Sequence, residues 1–124
     1  MPTYTEGSTA TSRNRGRLVC GFTATRAMCV IDEILSSLEE AAKADEEYQE
    51  KVVERIRSDE IPVVRLLLKM VPFTCPDVRI DSIKDAMDCL LTADDYLRMK
   101  NFRAASWNLG AVKRFLCASF VKRG

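Results

Sequence analysis

Apolar residues recur at intervals of three and four over most of the chain from residue 23 onward, the period of helices that turn one face to a core. From a cap at Thr23 or Thr25, Ala27, Val30, Ile31, Ile34, Leu35 and Leu38 mark a first helix running to about Ala42. The pattern continues over Lys43 to Arg57, with Tyr48, Val52, Val53 and Ile56 inward and Glu46, Glu47, Glu50 and Glu54 on an outer face. Ala44 and Asp45 either break these two segments or join them. Ser58, Asp59 and Glu60 before Ile61 and Pro62 read as a helix start, because proline is tolerated in a first turn where its missing N–H is not needed. The helix that follows, Val63 to Val71, is apolar nearly all round and is predicted to be buried, with Pro72 and Pro76 closing it.

Asp81 or Ser82 caps the next helix, with Asp85 in the capping-box position three residues past Ser82. Ile83, Met87, Leu90, Leu91, Asp94 and Leu97 share one face, and the helix stops around Lys100 and Asn101. The final helix, Phe102 to about Val121, carries apolar residues on two faces. Ala105, Leu109, Val112 and Leu116 form one, and Ala104, Trp107, Ala111, Phe115 and Ala118 the other. At about 100° per residue only a narrow strip with Arg103, Ser106, Gly110, Lys113, Arg114 and Cys117 is left for water. Such a helix belongs in the middle of a bundle, or between a bundle and a partner. Gly110 inside it suggests a close approach of a second helix.

These elements predict an all-α protein, a single compact bundle of four to six helices with a nearly all-apolar C-terminal helix. The 4 prolines and 5 glycines are few for a sandwich or barrel, and 47% hydrophobic content over 124 residues supports one core. Residues 1–17, rich in Ser, Thr and Gly, read as a flexible tail, and 18–124 as one helical domain.

Charge changes the picture from that of an anonymous bundle. The net charge of +1 hides a segregation: Arg98 to Gly124 holds Arg98, Lys100, Arg103, Lys113, Arg114, Lys122 and Arg123 and no acid, whereas residues 32–60 carry an excess of carboxylates. An acidic partner, an internal acidic element or a second copy of the chain would each satisfy such a segment. Arg103, Trp107, Lys113 and Arg114 are the candidate partner-binding residues. Trp107 is a core residue or an interface anchor, and core packing is the commoner fate of a large aromatic. The same cations, with Arg13, Arg15 and Arg17 near the N-terminus, form an alternative phosphate-binding set: Arg13, Arg15, Arg17, Arg98, Lys100, Lys122 and Arg123 would meet RNA. The aromatics fall on apolar helix faces away from Lys113 and Arg114, which favours core packing over base stacking.

The sequence contains 0 histidines, which removes the commonest general base and every imidazole zinc site. No glycine-rich phosphate loop, nucleophile elbow or paired-cysteine motif is present. Glu46, Glu50 and Glu54 stack along an outer face, where a charged surface is the common outcome and a metal site the rare one. The reading is therefore non-catalytic, with no metal and no cofactor. The 5 cysteines show no short-range pairing, and an odd number cannot close within one chain, so reduced thiols in the cytoplasm or nucleus are expected. No signal-peptide core or membrane span is read; the most apolar run, Ile61 to Val71, is cut by Arg65 and Lys69.

Ser106-Trp107-Asn108-Leu109-Gly110-Ala111-Val112-Lys113-Arg114-Phe115 resembles the first homology region of the B-cell-lymphoma family of apoptosis regulators, in which Asn-Trp-Gly-Arg precedes an apolar helix. Here Trp and Asn are inverted, Leu109 precedes Gly110, and Ala111 stands in place of the Arg. The capped helix, polar turn and Trp-containing helix from Asp81 through Phe120 are similar to the short poxviral members of that fold, which often dimerise. The resemblance implies a non-catalytic viral protein that sequesters host apoptotic or innate-signalling factors. Residues and resemblance together point to a helical protein–protein interaction module that self-associates. A small RNA-binding accessory protein is the alternative.

Overall fold

The computed structural model describes residues 8–121, with side chains from Gly21 onward. Five α-helical segments make up the architecture: α1 (Ser8–Ala41), α2 (Glu46–Arg55), α3 (Ile61–Thr74), α4 (Ile80–Arg98) and α5 (Phe102–Ala118). The first helix begins at Ser8, well before the expected cap at Thr23 or Thr25, and Thr23 is buried inside it. Its backbone runs through residue 17 without a break; residues 1–7 of the expected tail lie outside the described residues.

The chain does break between α1 and α2. Asp45 adopts an extended conformation (φ −74°, ψ 168°) and its Oδ1 accepts the Tyr48 N–H at 2.8 Å, the capping arrangement that starts a helix after a turn. Gln49 Nε2 donates back to the Ala41 carbonyl at 3.0 Å, closing the end of α1.

No break separates α2 from α3, contrary to the helix start expected at Ser58 to Pro62. Ile56–Glu60 forms a single π turn, in which the Ile61 N–H donates to the Ile56 carbonyl five residues back. Pro62 explains it. A proline inside a helix removes one donor and crowds the carbonyl four residues earlier, and a locally widened turn relieves both. Pro72 likewise sits inside α3, which ends only after Thr74.

α4 starts at Ile80 with Arg79 in the cap position, rather than Asp81 or Ser82, and Ser82 is buried. The Arg79 N–H donates to the Ser119 carbonyl at 2.8 Å, so the end of α5 fixes the start of α4. α4 ends in a Schellman motif: the Lys100 N–H donates to the Leu97 carbonyl at 2.9 Å and the Asn101 N–H to the Tyr96 carbonyl at 2.9 Å. Lys100 occupies the left-handed position at φ 58°, where glycine is usual. Asn101 Oδ1 then accepts the Ala104 N–H at 3.2 Å and starts α5.

The core is one contiguous cluster. Ile31, Ile34 and Leu38 of α1, Ile56 of the π turn, Val64, Leu68 and Val71 of α3, Leu90 and Leu97 of α4, and Leu109, Val112 and Leu116 of α5 are fully buried. Outside α3 these are positions the period marked, and the protein is an all-α bundle. Some assignments change, and Leu91, read on the apolar face of α4, is exposed. Tyr48, expected inward, is exposed, and α3 buries only the face of Ile61, Val64, Leu68 and Val71. Among the described residues no helix is long and apolar enough to cross a membrane.

Candidate interaction face on the last helix

α5 packs against α4 and α1 through Ala105, Leu109, Val112 and Leu116, all fully buried. Among the described residues its second apolar face is only partly covered. Ala111 is buried and Phe115 packs against the edge of the core, but Trp107 is 71% exposed. The core placement of Trp107 is thus overturned, because the helices that cover α5 approach it from one side only.

The Arg114 guanidinium lies 5.2 Å from the centroid of the Trp107 ring, a cation–π contact worth roughly 0.5–1 kcal/mol at an exposed site. A Cβ built on Gly110 would meet only Arg114 Nη1, at an ordinary contact distance of 3.4 Å, so among the described residues no neighbouring helix makes the close approach expected from sequence. Residues 107, 110 and 114 are spaced by three and four and share one face. Next to the Trp107 ring, Tyr96, Asn101, Arg103, Ala104, Ser106 and Asn108 outline a shallow hollow of about 690 Å³ at the α4–α5 turn.

The other cations of the C-terminal segment divide into paired and unpaired. Lys113 Nζ is bound to Asp32 Oδ1 of α1. Lys100 Nζ reaches Glu50 Oε1 at 3.0 Å and Glu46 Oε1 at 3.3 Å, and these bonds, that to Glu50 first, push the Lys100 ammonium above its ordinary range. Arg98 sits 3.2 Å from Asp95. The acidic ladder therefore covers part of the basic segment within the chain. Among the described residues neither Arg103 nor Arg114 has an ion pair; both are exposed, and Arg114 lies over the Trp107 ring. Of the four expected partner-binding residues, the structure gathers Arg103, Trp107 and Arg114 into one surface and assigns Lys113 to internal pairing. Arg13, Arg15, Arg17, Lys122 and Arg123 lie outside the residues whose side chains are described.

Two features escaped the sequence. Arg57 of the π turn pairs with Asp94 of α4, Nε to Oδ1 at 2.9 Å and Nη2 to Oδ2 at 3.4 Å, and the Asp94 hydrogen bond pushes the guanidinium further up. Neither residue stands near the other in sequence, so no local signal marks the pair. The second is the exposed outer face of α3, for which the signal, apolar residues all round, was present.

The thiols differ in exposure. Cys29 and Cys117 are exposed, whereas Cys89 is half-buried, and burial first, then Asp85 and Asp88, push its thiol up. Since the thiolate is the reactive form, a mild alkylating reagent is expected to modify Cys117 well before Cys89, which peptide mass mapping over time would show.

Comparison with protein-family models, with curated proteins and with solved structures finds no match.

Proposed function

We propose that this protein is a non-catalytic interaction module whose α5 face binds the apolar side of an acidic, amphipathic partner helix. The observation that carries this reading is Trp107, which stands exposed at the rim of an apolar hollow while an uncommitted Arg103 and the stacked Arg114 flank it. Interface anchors of this composition, a large aromatic beside arginines, dominate binding energy where they occur. Lys113 is paired with Asp32 of α1 and is not counted among the residues that meet the partner. Following the resemblance of Ser106 to Phe115, the partner falls among host apoptotic or innate-signalling factors.

The chain's 1 tryptophan makes the test direct. Titration with a synthetic amphipathic helical peptide bearing leucines on one face and glutamates on the other is expected to shift Trp107 emission to the blue. A single-stranded RNA of mixed sequence is expected to leave it unchanged at physiological salt. The reverse result, with affinity falling by about 0.7 in log–log slope per phosphate contact as salt rises, would replace this reading with RNA binding.

A further inference from the structure

The groove between α3 and α4 gathers more positive charge than the bundle itself neutralises. It encloses about 470 Å³ and is walled by Arg57, Arg65 and Lys69 from the continuous α2–α3 rod and by Asp94 from α4. Leu66 and Leu91 face each other across it, with Ile61 and Pro62 completing an apolar lining. A concavity of this size, apolar with a few convergent charged groups, has the make-up of a small-molecule site.

The π turn is what brings these cations to one side of the rod. Arg57 and Arg65 stand eight residues apart, and in an uninterrupted helix that spacing would turn their directions about 80° away from each other. The turn Ile56–Glu60 takes up one extra residue, which leaves roughly 20° between them. Ile56 and Ile61, five apart and both buried, mark the same shift on the core side. Lys69 follows Arg65 at a spacing of four, so the two side chains are neighbours over one turn.

The only carboxylate among these groups is already held. Asp94 accepts from Arg57 Nε at 2.9 Å and from Nη2 at 3.4 Å. Among the described residues, Arg57 Nη1 makes no hydrogen bond, and Arg65 and Lys69 are exposed with no ion pair. Three cations against one carboxylate leave two positive charges on the groove wall.

We infer that this groove binds a small organic phosphate, a phosphomonoester carried on a compact apolar body. The inference goes beyond the α5 reading and does not depend on it. A phosphomonoester brings about −1.5 to −2 charge at pH 7 and three strong acceptor oxygens, which matches the uncompensated charge. Arg65 offers it a planar fork and Lys69 a point charge one turn on. Arg57, oriented by Asp94, has Nη1 left to give, and the apolar body lies between Leu66 and Leu91. A carboxylate, or one diester of a nucleic-acid backbone, carries a single charge and leaves one cation unmatched.

The test titrates the full chain with phenyl phosphate and follows backbone amide shifts by NMR. Saturable shifts are expected at residues 65–69 and around Leu91, with affinity falling as salt rises. Phenyl sulfate, a monoanion of the same shape, and inorganic phosphate, which lacks the ring, are each expected to bind at least about tenfold more weakly. Arg65→Gln combined with Lys69→Gln is expected to weaken phenyl phosphate binding at least about tenfold, and its circular dichroism melt should match wild type because both side chains are exposed. The inference is overturned if no saturable shift is seen, if phenyl sulfate or inorganic phosphate binds as well as phenyl phosphate, or if the double variant binds like wild type. Phenyl phosphate should leave Trp107 emission unmoved, so failure here is distinguishable from failure of the α5 reading.

Discussion

Replacing Trp107 with alanine is expected to weaken binding of the acidic amphipathic peptide by about 30-fold, equivalent to roughly 2 kcal/mol, while leaving thermal stability almost unchanged. The two halves of this expectation rest on different observations. Binding suffers because a large aromatic at the rim of a hollow supplies most of the area a partner can bury. Stability does not, because a side chain 71% exposed in the free protein contributes little to the core. What the fold loses is the contact with Arg114, roughly 0.5–1 kcal/mol at such a site. Calorimetric titration with the peptide gives the first number and a thermal melt the second. A large fall in melting temperature with unaltered affinity would show Trp107 to be a structural residue and remove the central support for the α5 face.

The division between core and surface on α5 also shows what the sequence could and could not convey. Ala105, Leu109, Val112 and Leu116 read as inward and are inward, because a helical period reports which residues share a face. It does not report whether a second apolar face is covered. Trp107 and Phe115 stand on that face alike, yet Phe115 reaches the edge of the core while Trp107 remains in water, since α5 packs mainly on α4 and α1. α3 poses the same question. An all-round apolar helix reads as buried when one chain is assumed to supply all its neighbours, and the stripe from Val63 to Phe73 is the part this chain leaves uncovered.

Other differences have local causes. The continuous rod from Glu46 to Thr74 was not legible because proline after an acidic run has the chemistry of a helix start, and the π turn that absorbs Pro62 leaves no periodic trace in five residues. The first ten residues of α1, 8–17, are Ser, Thr, Ala, Arg, Asn and Gly, with no apolar periodicity to mark a helix. For the site, the choice of Arg103, Trp107 and Arg114 was legible as composition. That Lys113 and Lys100 are spent on Asp32, Glu46 and Glu50 was not, because pairing across distant segments depends on how the helices dock.

Leu109→Ala, two residues beyond Trp107 on the same helix, is expected to have the opposite profile. Leu109 is 0% exposed and belongs to the cluster shared by α1, α3, α4 and α5. Removing its isobutyl group forfeits the transfer free energy of the buried carbons and opens a cavity that packed helices only partly collapse into, a combined cost of about 2–5 kcal/mol. For a chain of 124 residues that corresponds to a fall in melting temperature of roughly 8–20 °C. At a temperature where the variant remains folded, peptide affinity should stay within about threefold of wild type, because the exposed face of α5 keeps its residues. Thermal melts and peptide titrations on the two alanine variants therefore form a cross: one loses binding and keeps its fold, the other loses stability and keeps its binding. If both variants lost binding in proportion to stability, peptide recognition would reflect the integrity of the bundle as a whole, and the α5 face would not be a separable site.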